Sequence, residues 1–282
     1  KIRTMLKRLQ FLTAGESHGK GLLGIINGLP SDLEISEDYI DQELKRRQMG
    51  HGRGGRMKIE KDHAEIWCGV RHGKTLASPV GILIKNLDWE NWTDKMSVGK
   101  LDKEIKRVTL PRPGHADLAG IHKYGFDDIR NVLERSSARE TTMRVALGTV
   151  CRKLLEEVGI NIGSRVVQIH NVKDESKYDM NPKKLNQTAD SSPVRCLDNK
   201  VEKDMIKVID DAKKSGDSVG GIFEVIATGI PYGLGSYTQW NEKLQARITA
   251  MMMSVNAFKG IEIGSGFHSS TQFGSEVHDE IG

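Results

Sequence analysis

The stretch LQFLTAGESHGKGLLGIING, residues 9–28, decides the class of fold. Its apolar runs 9–13 and 22–26 are typical of two short strands, and the segment GESHG breaks the chain between them. Asn27-Gly28 after the second run is a turn signal. Two strands so close together in the chain predict an antiparallel pair at the start of the protein.

The rest of the chain also contains segments with helical or strand periodicity. Helices are predicted over 36–48, 137–157, 202–214 and 241–258, where apolar residues recur every three or four positions. Further strands are predicted over 64–70, 80–84, 166–169 and 222–227. Strands that arrive in pairs between single helices indicate an α+β protein with antiparallel sheets.

Two segments are predicted to lie outside the core. Residues 89–108 are polar and lysine-rich, which is typical of an excursion from the core. Residues 171–200 contain Pro, Asp, Ser and Asn with little periodicity, so a long surface connection is expected there. The helix over 241–258 is expected to turn its apolar side chains inward, namely Leu244, Ile248, Met251, Met252 and Val255.

Composition places the chain among globular proteins. Of its 282 residues, 37% are hydrophobic and 28% are charged, with a formal net charge of +4. This balance excludes a collagen, a coiled coil, a disulfide scaffold and a disordered tail.

Three widely spaced cysteines and no apolar run long enough to span a membrane predict a cytoplasmic protein. Because the chain begins at Lys1 and stops at Gly282 without an evident terminal element, we expect a fragment of a longer protein.

Residues 44–59 form the strongest electrostatic feature. They hold no acidic residue and six cations, Lys45, Arg46, Arg47, Arg53, Arg56 and Lys58. The glycines of GHGRGG at 50–55 let backbone N–H groups approach an anion, and guanidinium groups suit phosphates and carboxylates. A solvated loop is an equally good interpretation. The hexamer also matches G-x-G-x-x-G, but a helix precedes it where a dinucleotide fold needs a strand.

Two histidines lie in turns of unusual composition. His18 stands in GESHG, and His115 follows Pro113-Gly114. Imidazole exchanges a proton near neutral pH, although a single histidine is more often structural. Nearby cations favour the neutral ring, so acid catalysis at either position needs a bound anion. Ser17 is not expected to pair with His18, because adjacent residues of an extended segment point to opposite faces. No metal-binding motif or P-loop is present in the sequence, so no metal is predicted.

The segment ERSSARETT, residues 134–142, joins two arginines and two serines at a predicted helix start. Such a set of side chains and free backbone N–H groups suits an anionic group. A serine cap explains the serines but leaves the two arginines unexplained. The methionines at 251–253 indicate core packing, and Asn256 is either a helix C-cap or an amide that binds a ligand.

Taken together and in this order, the segments resemble the chorismate synthase family. The resemblance is carried by GESHG (15–19), RPGHAD (112–117), RSSARET (135–141), SVNAFKG (254–260) and GSEVHD (274–279). It implies one domain of that family over 1–282, lacking the family's C-terminal segment. It also implies a β-α-β sandwich, with helices between two antiparallel sheets, assembled as a homotetramer.

The resemblance further implies a lyase of aromatic amino acid biosynthesis in the shikimate pathway. Such an enzyme eliminates phosphate from 5-enolpyruvylshikimate 3-phosphate to give chorismate and requires reduced FMN without net oxidation. By resemblance, His18 protonates the departing phosphate and His115 protonates or stabilises the reduced flavin. The implied substrate contacts are Arg47, Arg53, Arg112 and Arg139. The implied FMN contacts are Arg135, Ser136, Ser137, Asn256 and Ala257.

The sequence leaves open how the flavin is reduced, and two alternative functions remain. Arg47 and Arg53 are implied to bind NADP in members that reduce their own flavin, whereas other members depend on a separate flavin reductase. A nucleic-acid binder that uses 44–59 and 95–107 is an alternative, but acidic residues interrupt the second stretch and no aromatic platform accompanies it. A non-catalytic scaffold that forms oligomers is the other alternative. Neither a nucleic acid nor a membrane is predicted as a partner.

Overall fold

The computed structural model describes residues 8–55 and 59–279. The chain divides into two compact units, the larger being Arg8–Ile230, while the smaller contains the described residues from Pro231 onward. Arg56 and Lys58 of the basic stretch lie outside the described residues. The prediction of one domain over 1–282 stays a prediction.

Strands and helices alternate irregularly along the described residues. The strands are β1 (Gln10–Gly15), β2 (Gly21–Asn27), β3 (Ser31–Glu34), β4 (Glu65–Cys68), β5 (Val70–Arg71), β6 (Lys74–Leu76), β7 (Val80–Lys85), β8 (Asn161–Ile169), β9 (Val172–Lys173) and β10 (Gly221–Thr228). The helices are α1 (Glu37–Gln48), α2 (Asp117–Tyr124), α3 (Arg130–Leu133), α4 (Glu140–Glu157), α5 (Pro182–Asp190), α6 (Asn199–Lys214), α7 (Leu244–Met253) and α8 (Gly274–Val277). Every strand pairing among them is antiparallel, which confirms the α+β prediction.

The described strands form three sheets. The first has the order β1-β2-β7-β4, the second β10-β8-β9, and a small third sheet β3-β6-β5. Residues 9–28 form the predicted hairpin, in which Gly15 pairs with Leu22, so GESHG lies at the connection between β1 and β2. The loop that carries His18 is therefore held at the end of the first sheet.

Helix α4 contacts both larger sheets, touching β1, β2 and β7 in the first and β8 in the second. A Cβ at Gly24 would lie 2.4 Å from the Met143 sulfur, so glycine at this position of β2 lets the helix pack closely. The core consists of buried aliphatic side chains, each of which contributes about 1.5–3 kcal/mol. They come mainly from β2, α1, β7 and α4 and include Leu22, Ile26, Ile40, Leu44, Ile82, Ile84, Met143, Leu147 and Val150. This arrangement confirms helices between two antiparallel sheets.

The prediction of a surface connection over 171–200 is wrong. That segment contains β9 and the helix α5, and Leu185 and Ala189 on the helix are buried. Asn181 caps α5 and Pro182 begins it, but few apolar side chains of the helix are buried, so the periodicity in the sequence is weak. Asn186 is buried as well, because its amide donates to the Ile162 carbonyl and accepts from Arg46.

Two other boundaries differ from the prediction. The strand predicted over 64–70 is divided at Gly69, whose φ of +84° is incompatible with a continuous strand. The helix predicted over 137–157 begins at Glu140, because residues 130–139 form α3 and a series of turns.

The smaller unit differs most from its prediction. The helix expected over 241–258 is limited to α7, and none of its residues, all of which the structure describes, is fully buried. A unit of this size buries little apolar surface by itself, so the expected inward face stays partly exposed. No helix within residues 8–55 and 59–279 has the length and apolar character to cross a membrane.

Candidate active site

The GESHG loop has a conformation that requires glycine at its start. Gly15 has a φ of +107°, and a Cβ there would lie 2.4 Å from the Gly21 carbonyl oxygen. Asn86, at the end of β7, closes the loop because its side-chain amide donates to the carbonyls of Glu16 (3.1 Å) and Gly19 (2.7 Å). These contacts fix the backbone on both sides of His18.

The ring of His18 is held on one edge and one face. Both carboxylate oxygens of Glu134 lie 3.0 Å from its Nδ1, and the His18 backbone N–H donates to the same carboxylate at 2.8 Å. The Trp92 ring stacks on the imidazole with centroids 3.8 Å apart. The His18 side chain remains 22% exposed, so it is both positioned and accessible. Such an imidazole can exchange a proton with a bound molecule.

The RPGHAD segment forms a tight turn around an ion pair. The guanidinium of Arg112 donates two hydrogen bonds of 2.9 Å to Asp117, whose side chain is buried at the start of α2. These bonds hold the pKa of Asp117 at about 2, against the opposing effect of burial. Arg112 remains 43% exposed, so it can also bind an anion from solution.

His115 stands on the exposed side of this turn, with its Nδ1 3.0 Å from the Pro113 carbonyl oxygen. Electrostatics connects the two histidine sites. The hydrogen bonds from Arg112 to Asp117 are the main cause of a raised Arg112 pKa, and the Glu134 carboxylate raises that pKa further. His115 in turn helps to lower the pKa of Asp117. Electrostatic effects on the pKa values of Arg112 and Asp117 therefore link the site of His18 and Glu134 to that of His115.

Arg139 lies inside the protein with its side chain only 5% exposed. Its guanidinium donates to Asp62 (2.5 Å), Asn86 (3.0 Å) and Glu60 (3.5 Å), and both carboxylates are buried. The positive charge therefore compensates two buried acids, which would be very unfavourable alone. Since Asn86 also closes the GESHG loop, Arg139 is linked to the setting of His18.

Arg47 joins the same group from the last turn of α1. It donates to the Thr141 hydroxyl (3.0 Å) and the Ala138 carbonyl (3.2 Å), and its Nη1 lies 3.9 Å from Asp62. The structure thus brings Arg47 and Arg139, two of the four predicted substrate contacts, to one carboxylate.

Arg53 lies in the glycine-rich loop and donates to the Met49 carbonyl at 3.0 Å. It lines an open cleft of about 1210 Å³ bounded by residues 50–55, β8, β10 and α6. The loop is anchored there by His51, whose backbone N–H donates to Pro193 and whose ring lies 2.7 Å from Asp210. The cleft lining, within the described residues, does not include Arg47, Arg112 or Arg139.

Three of the five residues predicted to contact FMN form a short segment before α4. Arg135 donates to the carbonyls of Thr13 (2.7 Å) and Gly15 (3.2 Å), which places it over the end of β1. The Ser137 hydroxyl lies 3.1 Å from that of Ser17. A guanidinium with neighbouring serine hydroxyls is a donor set that fits a phosphate or another polar cofactor group.

Ser136 lies between these two residues, and its backbone N–H donates to Val132. Asn256 and Ala257 belong to the smaller unit and follow α7. Ala257 has a φ of +70°, a backbone conformation that non-glycine residues adopt rarely. No group of three metal-ligating side chains occurs where the structure describes the chain.

Several residues of this site were not identified from the sequence. Trp92 falls within residues predicted to leave the core, yet its ring stacks on His18. Glu60, Asp62 and Asn86 are single polar residues without a motif, and only the fold brings them to Arg139. One signal was present for Glu134, because it directly precedes the RSSARET string.

Comparisons with known proteins agree over nearly the whole chain. Residues 9–282 match the family model for chorismate synthase. A chorismate synthase from Listeria welshimeri is 52% identical over 276 residues, which are 97% of this chain and 71% of that protein. One from Aquifex aeolicus is 52% identical over an alignment of 286 positions that covers 98% of this chain and 72% of that protein.

A solved structure gives the same result. A crystal structure of chorismate synthase matches with a TM-score of 0.81 and 44% sequence identity, over 98% of this chain and 75% of that chain. The motifs, the fold and these relatives lead to one conclusion: the chain belongs to the chorismate synthase family.

Proposed function

We propose that the residues around His18 and Arg112 carry out the reaction of this family in the present chain. That reaction eliminates phosphate from 5-enolpyruvylshikimate 3-phosphate to give chorismate, and the family requires a reduced flavin. The observation that supports the proposal most directly is the His18 ring, held by buried Glu134 and electrostatically linked through that carboxylate to the exposed guanidinium of Arg112. A positioned proton donor suits the departure of an anionic group, and an exposed guanidinium suits its binding.

In this proposal four arginines bind the substrate's phosphate and two carboxylates, which need cations when they leave water. They are Arg47, Arg53, Arg112 and Arg139. Arg112 has the most suitable setting, because Asp117 fixes one side of its guanidinium and leaves the rest exposed. Arg139 already donates to Asp62 and Glu60, so a substrate carboxylate has to share its N–H groups with these acids.

His18 then donates a proton to the departing phosphate, and His115 would protonate or stabilise the reduced flavin when it is bound. The bound substrate supplies the anion that both histidines need in order to act as acids beside arginines. Arg135, Ser136 and Ser137 hold FMN in this proposal, and Asn256 and Ala257 of the smaller unit stay predicted FMN contacts. Reduced FMN, when bound, supplies an electron-rich ring that the reaction requires although no net oxidation occurs.

We also propose the source of electrons for the flavin, the oligomeric state and the cellular location. NADPH is proposed to reduce the flavin through Arg47 and Arg53, with Arg53 lining the open cleft beside the glycine-rich loop. If NADPH does not reduce FMN on the purified protein, a separate flavin reductase takes this role. A homotetramer is proposed from the family resemblance. A cytoplasmic location is proposed because Cys68, Cys151 and Cys196 are free thiols, as is usual in a reducing compartment.

The decisive experiment measures anaerobic chorismate formation and phosphate release with chemically reduced FMN, using the protein as its gene encodes it. Wild type should form product only with reduced flavin. His18→Ala and His115→Ala should each lower turnover by about 100-fold while FMN still binds. His72→Ala, in an exposed turn, is the matched control and should retain the wild-type rate. Wild-type turnover in both site variants would refute the acid assignments.

A further inference from the structure

We infer that Glu134 is a positioning residue for His18, which keeps one proton on Nδ1 so that Nε2 is the nitrogen that donates to the substrate. The inference deepens the proposed function and rests on the role of His18 as an acid. In the step itself, Nε2–H passes its proton to the phosphate oxygen as the C–O bond breaks with its electron pair on that oxygen. The C–H bond broken in the same elimination loses its hydrogen as a proton, and its electron pair forms the new double bond. The ring ends neutral, with its remaining proton on Nδ1 facing Glu134.

The contacts of Glu134 fix the tautomer. A carboxylate only accepts hydrogen bonds, so an imidazole nitrogen 3.0 Å from both of its oxygens must carry the proton. One of these oxygens also accepts the His18 backbone N–H at 2.8 Å. The Ser17 backbone N–H donates to the Glu134 backbone carbonyl at 3.0 Å. Residue 134 therefore orients both the loop and the ring that it carries.

Glu134 is itself firmly held. Its side chain is 1% exposed and it caps the C-terminus of α3, where its backbone N–H donates to Arg130. The guanidinium of Arg130 lies 3.8 Å from the carboxylate and supplies a compensating positive charge. A buried, paired carboxylate of this kind has little freedom to release the imidazole.

Trp92 fixes the remaining orientation of the ring. Its indole stacks on the imidazole at an interplanar angle of 20°, and the indole N–H donates to Asp88 at 2.8 Å. With the Nδ1 edge on Glu134 and one face on Trp92, rotation of the ring would break two contacts at once. The acid is thus held in advance in the geometry that proton transfer needs.

The first test observes the tautomer directly in the wild-type protein. Ring ¹⁵N shifts of histidine-labelled protein are recorded at alkaline pH, where imidazoles are neutral, and His18→Gln identifies the signals of His18. We expect the Nδ1–H tautomer. His115, whose Nδ1 faces a carbonyl rather than a carboxylate, gives an internal reference in the same spectrum. An Nε2–H tautomer for His18 would overturn the inference even if no variant could be prepared.

The second test replaces the carboxylate. In Glu134→Gln, the amide oxygen can retain the backbone N–H of His18, while its NH₂ group then faces Nδ1 and favours the opposite tautomer. We expect the tautomer to reverse and kcat to fall about 100-fold, with KM changed by less than about threefold. Glu156→Gln removes a comparable charge near the opposite end of α4, where it bonds Tyr39, and is expected to change neither quantity.

Two outcomes would contradict the positioning role of Glu134. A wild-type kcat in Glu134→Gln, or a loss of flavin binding together with an equal rise in KM, would refute a positioning role. Failure of the proposed function is a separate result, since it would be shown by wild-type turnover in His18→Ala. The tautomer measurement does not depend on turnover, so the two conclusions are distinguishable.

Discussion

Asp117 accepts three hydrogen bonds from Arg112, one from the backbone N–H and two from the guanidinium, each 2.9 Å long. A residue five positions away thus satisfies the buried carboxylate, and the intervening chain closes into a turn. The turn carries His115 outward, and α2 begins immediately after it. One ion pair therefore determines both the exposure of a predicted acid and the start of a helix.

This ion pair predicts a specific dependence of stability on pH. The folded-state pKa of Asp117 is about 2, below the value of about 3.9 expected in the unfolded chain. The stabilisation is therefore present above about pH 4 and is lost as the pH falls toward 2. Allowing for the exposure of Arg112, it should amount to about 1–2 kcal/mol. Urea unfolding of wild type and Asp117→Asn at pH 7 and pH 2.5 should show the difference between them shrinking at low pH. A constant difference would contradict it.

The GESHG loop predicts opposite effects for two glycine substitutions. Gly15→Ala should lower the free energy of unfolding by about 1–3 kcal/mol, because φ is positive and the new Cβ meets the Gly21 carbonyl. Gly148→Ala, in α4 with open space around the site, should raise it by about 0.5–1 kcal/mol. Thermal unfolding of both variants beside wild type measures this, and two shifts of the same sign would be inconsistent with the structure.

Arg139 is expected to matter for stability as well as for turnover. Arg139→Met would remove the buried guanidinium that donates to Glu60 and Asp62, with Arg47 still 3.9 Å from Asp62, and should cost about 3–5 kcal/mol. Arg53→Met removes an exposed guanidinium and should change the free energy of unfolding by less than about 0.5 kcal/mol. Chemical denaturation of the two variants compares them directly. Equal stability of the two variants would contradict the role of Arg139 in compensating the buried acids.

The cysteines should differ strongly in reactivity. Burial raises the pKa of the Cys151 thiol to about 11 and is also the main cause of a raised pKa at Cys196. Since the thiolate is the reactive form, both should react slowly with a disulfide reagent at pH 8, whereas exposed Cys68 should react quickly. Cys68→Ser should abolish the fast phase. Two fast thiols in the wild type would show that the region around Cys151 or Cys196 opens readily.

Local sequence predicted the first hairpin and the long helices of the larger unit well. The pair of runs in residues 9–28 has a short connection, so its partners are close in the chain and local signals suffice. No local pattern indicates helix α5, because its Asn186 is buried through hydrogen bonds to residues far away in sequence. Helix α7 differs in the opposite way. Its apolar spacing predicts a buried face, but that face is partly exposed, because spacing alone does not show whether another element covers a helix.

The residues of the candidate site also divide into those that local sequence indicates and those that it does not. His18, His115 and Arg112 stand in recognisable strings, which carry the resemblance to the family. The partners that orient them are single residues from remote parts of the chain, such as Trp92 for His18. Asp62 is 77 positions from Arg139 and carries no motif of its own. Only long-range packing could reveal these partners.

The amide of Asn86 has a consequence for the order of events during protein synthesis. It closes the GESHG loop across 67 residues, and its oxygen receives Arg139 from another 53 residues further along. A nascent polypeptide that has not yet released Arg139 from the ribosome therefore carries His18 without the scaffold that orients it. The proposed proton donor is thus synthesised well before its working geometry is completed, which requires about 120 further residues.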